Sequence, residues 1–208
     1  MKQQTELFWI VDFDGTLINL DLGARFSEWI IAFRKVGVLV LLIRIFAAPV
    51  NLLLRKLEVR QVIRAWSAGL SKNEIDNLAE EFLDYIKPEI IINESVLKYL
   101  RMDLVSKKIL LTGCPQELVI AFLGRYKISD FHDVIGMTTA LGVVITRHPY
   151  GRSKAKLARR CNPYAAIGDS WQDRFVLRGA VRAIVVPRVE KLEELGRRLG
   201  WEIVDCKI

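Results

Sequence analysis

Leu7-Phe8-Trp9-Ile10-Val11-Asp12-Phe13-Asp14-Gly15-Thr16-Leu17 is the stretch whose reading decides the fold. Its first half is a continuous apolar run with an aromatic and β-branched bias. That marks a strand buried on both faces. Two carboxylates then appear two residues apart, followed by Gly and Thr. Side chains alternate along a strand, so Asp12 and Asp14 would share one face if the strand continued. Gly15 predicts instead that the strand stops and the backbone turns. Acids at the carboxyl end of a buried strand stand where open α/β sheets hold ligands. A solvated turn explains one Asp after a strand. It explains poorly Asp-x-Asp-Gly-Thr directly behind an apolar run.

Further along the chain, strand and helix patterns alternate, which predicts a parallel sheet in an α/β core. Lys107 to Thr112 reads as a strand ending in a turn at Gly113-Cys114, with Pro115 at the first position of the next helix. A hydroxyl at a strand tip beside a helix N-terminus, here Thr112, makes a phosphate seat. Strand-Thr-Gly turns are also common without a ligand. Phe131 to Thr146 gives short strands. Gly151 to Arg160 is a basic helix start in which Lys154 or Lys156 could serve a site, or both could lie on a solvated face. Tyr164-Ala165-Ala166-Ile167-Gly168-Asp169-Ser170-Trp171-Gln172-Asp173 is an apolar strand, a Gly and two carboxylates four apart at a turn into a helix. Val181 to Val186 predicts another buried strand, Arg188 to Leu199 a charged helix stopped by Gly200, and Trp201 to Val204 a last strand.

The segment from Ile18 to Ile91 reads as helical throughout. A Ser71-Lys72-Asn73-Glu74 capping box opens one helix; apolar positions from Ile75 to Ile86 follow at helical spacing, and Pro88 ends it. Residues 36–54 carry one charge, Arg44, and are flanked by Arg34-Lys35 and Arg55-Lys56. About 20 apolar residues span a bilayer, but Arg44, Pro49 and Asn51 argue against a span. Two short helices lying on an anionic membrane surface through residues 34–56, or packing within the protein or a dimer, fit better. Between Asp21 and Leu70 eight basic residues stand against three acidic ones, so most of the net charge of +7 sits here.

The balance of charge favours anionic partners, and no nucleic-acid motif accompanies it. Mean hydropathy is +0.22 and the isoelectric point about 9.4. Three cysteines without paired spacing suit a reduced, cytoplasmic setting and argue against a zinc site. The polar N-terminus does not read as a signal peptide. So many carboxylates at adjacent strand tips repel each other and need a cation; hard oxygen ligands suit Mg²⁺.

Four stretches together resemble the motifs of the haloacid dehalogenase superfamily in its phosphatase form: Asp12-Phe13-Asp14-Gly15-Thr16, Thr112, Lys154 three residues after Gly151, and Gly168-Asp169-x-x-x-Asp173. The pattern is most similar to the phosphoserine phosphatase-like branch, and the apolar insertion resembles that of bacterial phosphatidylglycerophosphate phosphatases. The resemblance implies a Rossmann-like core of residues 1–17 plus 92–208 and a helical cap of residues 18–91. It implies that Asp12 is the nucleophile forming an aspartyl-phosphate, and that Asp14 protonates the leaving group and then activates water. Thr112, Gly113 and Lys154 would hold the substrate phosphate. Asp12, Asp14 (through its main-chain carbonyl) and Asp169 would bind Mg²⁺, and Asp173 would hold the metal's waters or the lysine. The acid at Asp14 excludes the dehalogenase reaction itself. The expectation is a Mg²⁺-dependent phosphomonoester hydrolase acting on a membrane lipid phosphate, cytoplasmic and peripheral on the inner membrane face. The alternatives are a soluble-metabolite phosphatase and a non-catalytic, membrane-associated module.

Overall fold

A computed structural model describes residues 7–33, 46, 49, 72–140 and 144–204. The body of residues 34–56, expected to meet a membrane, and Ser71 of the capping box lie outside the described residues. Among the described residues, no helix is long and apolar enough to cross a membrane.

The strands are β1 (Phe8–Val11), β2 (Lys107–Pro115), β3 (Asp133–Ala140), β4 (Val144–Arg147), β5 (Ala165–Gly168), β6 (Arg182–Val185) and β7 (Glu202–Ile203). They form one sheet in the order β4-β3-β2-β1-β5-β6-β7. All neighbours run parallel except β3 and β4. That departure from a wholly parallel sheet has a simple cause. Only residues 141–143 separate β3 from β4, and a parallel return needs a crossover of a dozen or more.

The apolar run of β1 is buried on both faces, as its composition predicts. Trp9 and Val11 enter one buried cluster and Ile10 the other. The same alternation holds for Leu110 against Ile109 and Leu111, and for Ile167 against Ala166. The first cluster is closed by α1 (Leu22–Ala32), α2 (Lys72–Ile86), α3 (Glu94–Met102) and α4 (Gln116–Arg125) through Phe26, Phe82, Leu97 and Phe122. The second is closed by α5 (Gly151–Arg160), α6 (Arg174–Leu177) and α7 (Glu190–Leu199) through Ala155, Val176 and Leu192. Phe82 and Phe122 are wholly buried, and each burial stabilises the fold by about 1.5–3 kcal/mol. Local signals mark the ends. Asn93 caps α3 by accepting from the Val96 amide, and Gly200 stops α7 in the left-handed conformation at φ 71°. Pro115 differs from expectation by one step. It is the N-cap of α4 with extended ψ, and the helix begins at Gln116.

Two asparagines tie the chain entering the 18–91 segment to the chain leaving it. Asn19 donates to the Glu89 carbonyl and accepts from the Ile91 amide. Asn93 donates to the Thr16 carbonyl, and an antiparallel bridge joins Ile18 to Ile92. Both crossings therefore stand beside the tip of β1.

Candidate active site

The site forms where the chain order reverses about β1, with β2 on one side and β5 on the other. This is the crevice that the topology of an open α/β sheet leaves at its strand ends. The Asp12 amide donates to the Ile167 carbonyl at 3.1 Å, carrying the ladder one residue past β1. The loop then closes tightly, with the Leu17 amide donating to the Phe13 carbonyl at 2.9 Å. Phe13 and Leu17 are buried, and Phe13 packs edge-on against Phe122 at 5.2 Å. Anchoring these apolar residues leaves Asp12, Asp14 and Thr16 at the crevice.

Gly15 sits at φ 77°, and a Cβ there would stand 2.1 Å from Asp169 Oδ2. Only glycine allows both the backbone conformation and the approach of that carboxylate. The Thr16 hydroxyl donates to Asp169 at 2.9 Å and lies 3.4 Å from Asp12. Lys154, buried on α5, donates to Asp12 at 2.5 Å and to Asp173 at 2.7 Å. The other oxygen of Asp173 accepts from the Ser170 amide at 3.0 Å and from its hydroxyl at 2.5 Å.

Asp12, Asp169 and Asp173 offer carboxylate oxygens within 4.8 Å of one another. One ammonium faces three buried acids. Burial, and next the neighbouring Asp173, hold Asp12 well above the usual carboxylate range, against the pull of Lys154. Burial and then Asp173 push Asp169 up to about 6. Burial works against the charge on Lys154, but Asp12 and Asp173 outweigh it and raise its pKa. The excess negative charge and the all-oxygen donor set fit a hard divalent cation such as Mg²⁺.

A cavity of about 300 Å³ is lined by Asp12, Asp14, Thr112, Gly113, Lys154, Asp169 and Asp173. The residues expected from sequence therefore meet in one place. Lys156 is exposed and outside that lining, which leaves Lys154 of the two candidates. The Asp14 carboxylate stands apart from the three-acid cluster. It accepts from the Leu22 amide at 2.8 Å and lies 3.5 Å from the Thr112 hydroxyl. That hydroxyl in turn accepts from the Cys114 amide at 3.0 Å, which fixes its rotamer.

Thr16, Ser170 and Arg188 carry no assignment in the sequence reading. Thr16 and Ser170 lie inside the quoted motifs, so their positions were visible but their bonds were not. Arg188 lines the cavity and donates to the Asn19 carbonyl at 2.6 Å. Nothing local in the sequence marks it.

Residues 10–178 match the haloacid dehalogenase-like hydrolase family. No curated protein matches the chain. Among solved structures, a Bordetella pertussis Tohama I protein of unknown function has a TM-score of 0.71 at 17% identity, covering 97% of this chain and 99% of that one. A substrate-bound phosphoserine phosphatase has a TM-score of 0.60 at 12% identity, with 99% and 95% covered. A phospho-aspartyl intermediate analogue of phosphoserine phosphatase has 0.58 at 13%, with 96% and 93% covered. At these identities the likeness concerns the fold.

Proposed function

The chain belongs to the haloacid dehalogenase-like hydrolase family, and from that premise we propose that it hydrolyses phosphomonoesters through an aspartyl-phosphate. The observation that carries the reading is the buried contact of Lys154 with both Asp12 and Asp173, beside Asp169.

In this reading an Asp12 oxygen attacks phosphorus, and the bond from phosphorus to the substrate oxygen breaks. Asp14 gives its proton to that leaving oxygen. It then takes a proton from the water that attacks the aspartyl-phosphate, which frees inorganic phosphate and restores Asp12. Thr112, Gly113 and Lys154 hold the phosphoryl oxygens, and Lys154 offsets the charge that builds on them. Asp12, Asp169 and the Asp14 main-chain carbonyl would hold Mg²⁺, with Asp173 orienting its waters and the lysine. Bound there, the ion would supply further charge stabilisation to the transferring group. The intact set of acids and lysine favours catalysis over a non-catalytic role.

We assign residues 18–91 as a cap over this core, and residues 1–17 with 92–208 as the core itself. The apolar, basic-flanked residues 34–56 support a lipid phosphate as substrate, with peripheral contact on an anionic, cytoplasmic membrane face. A soluble small-metabolite phosphomonoester is the competing substrate, supported by the phosphoserine phosphatases among the similar folds.

The test is a phosphate-release panel containing lipid phosphates and soluble phosphomonoesters, with Mg²⁺ and with EDTA. Turnover that EDTA abolishes and that Asp12→Asn lacks is expected. Unchanged turnover in EDTA would overturn the metal-dependent mechanism. Turnover confined to soluble substrates would overturn the lipid assignment. Leu39, Leu42 and Phe46 changed together to Ser should lower activity on lipid phosphate and spare a small aryl phosphate.

A further inference from the structure

On the α5–α6–α7 layer, three cations interleave with two aromatic rings. Arg174 Cζ lies 4.3 Å from the Trp171 ring centroid and 4.0 Å from that of Phe175. Arg152 Cζ lies 5.6 Å from the Phe175 centroid, and Lys191 Nζ lies 4.6 Å from that of Trp171. Arg178, exposed at the end of α6, adds a fourth cation. Arg152 and Lys191 are exposed; Arg174 and both rings are half-buried.

Among the described residues, the charges on this face lack counter-ions. Arg25, Arg101, Arg125, Arg182 and Arg197 each pair with an acid elsewhere. Among the described residues, Arg152, Arg174, Arg178 and Lys191 pair with none. The Arg174 guanidinium donates to the Trp171 carbonyl, and its remaining N–H groups are uncommitted among the described residues. Burial lowers the pKa of Arg174, and Arg178 and Arg152 lower it further by like-charge repulsion. Aromatic faces hold guanidinium groups in place while leaving their N–H edges available, which preorganises the array for an anion.

The face adjoins the catalytic cavity without lending it a side chain. Gly151, Ser170, Gln172 and Asp173 line the cavity, and Arg152, Trp171 and Arg174 are their chain neighbours. We infer that Arg152, Arg174, Arg178 and Lys191 form an exterior binding face for phosphate-class anions, separate from the catalytic phosphate seat. Arginine forks bind phosphate oxygens in a bidentate manner, and several phosphates within reach of four cations would relieve their mutual repulsion. Such groups come from two sources: the headgroups of an anionic phospholipid surface, or a free phosphate such as pyrophosphate.

The test uses the whole protein in EDTA at low salt, which keeps Mg²⁺-dependent binding in the catalytic cavity out of the readout. Co-sedimentation is measured with phosphatidylcholine vesicles with and without phosphatidylglycerol, and pyrophosphate is titrated by calorimetry. Arg152→Gln with Arg178→Gln removes two exposed cations and should weaken binding by about 30-fold. Lys191→Gln with Arg178→Gln is the second variant, should the first melt below wild type. Lys98→Gln with Arg198→Gln removes the same net charge elsewhere and should change binding far less. Residues 34–56 would also hold anionic vesicles, so the source is read from the variants: loss confined to phosphatidylglycerol vesicles identifies the headgroup source, and loss of pyrophosphate binding identifies the free one. The inference falls if wild type binds neither probe, if the patch variants bind as wild type, or if the control loses as much as they do.

Discussion

Asp169→Asn should stabilise the metal-free protein while removing its response to Mg²⁺. The carboxylate ionises at an ordinary value of 3.8 and is pushed up to about 6 in the fold. Burial and then Asp173 are the causes. An acid whose pKa is raised on folding costs stability as pH climbs through its unfolded pKa, and the cost is complete above its folded one. The pH window is therefore about 4 to 6, and above it the cost is about 3 kcal/mol. Asparagine carries no charge to desolvate and keeps an oxygen for the Thr16 hydroxyl, now 2.9 Å from Asp169. In a chain of 208 residues each kcal/mol moves Tm by about 2–4 °C, so the metal-free variant should melt about 6–12 °C higher at pH 7.5. The gain should be mostly lost at pH 4, where the wild-type group is already protonated in the fold. Saturating Mg²⁺ should raise the wild-type Tm and leave the variant's nearly unchanged, because only the former gains binding free energy. Thermal melts at the two pH values, with EDTA or Mg²⁺, check all of this. A variant that melts at or below wild type in EDTA at pH 7.5 would refute the charge argument.

Asp12→Asn should abolish turnover, whereas Asp14→Asn should cost about 10²–10⁴-fold, and less for an aryl phosphate whose leaving group needs no proton; steady-state kinetics on alkyl and aryl substrates measure both. Gly15→Ala should fold with a cost of about 1–2 kcal/mol for its left-handed backbone and lose Mg²⁺-dependent activity, since its Cβ would stand 2.1 Å from Asp169 Oδ2; wild-type activity in a folded variant contradicts the crowding argument. Arg188→Gln should raise KM more than it lowers kcat, because Arg188 lines the cavity away from the Asp12–Lys154 contact. Asp103 accepts from Trp9 Nε1 at 2.8 Å and from the Ser106 amide at 2.9 Å, and its pKa falls to about 2 because these bonds outweigh its burial. That stability is present above about pH 4 and is lost as pH falls through about 2; solvent screening reduces it for so exposed a carboxylate, so Asp103→Ala should cost about 1 kcal/mol at pH 7, with the difference in denaturant midpoint shrinking towards pH 2.

Much of this molecule was legible in its residues. The run from Leu7 to Val11 has apolar side chains at every position, so both faces of β1 had to be covered. Gly15 and Gly200 mark stops through backbone chemistry that acts over a few residues. The acids at Asp12, Asp14, Asp169 and Asp173 stand directly after strand patterns, so an α/β sheet carries them to one edge. Each of these inferences rests on periodicity or on a turn, and both are local.

Other features required the tertiary structure. That β4 returns antiparallel to β3, that Thr16 bridges Asp12 and Asp169, and that the Asp14 carboxylate turns to the start of α1 all depend on which strands and helices become neighbours. The alternation of Arg152, Phe175, Arg174, Trp171 and Lys191 draws on α5, α6 and α7 with the turn before α6, and no spacing in the chain announces it. Local sequence sets which faces are apolar and where the backbone turns. The partner of each charge is decided only when the two buried faces of the sheet are packed, because that packing sets the distances over which charges and hydrogen bonds act.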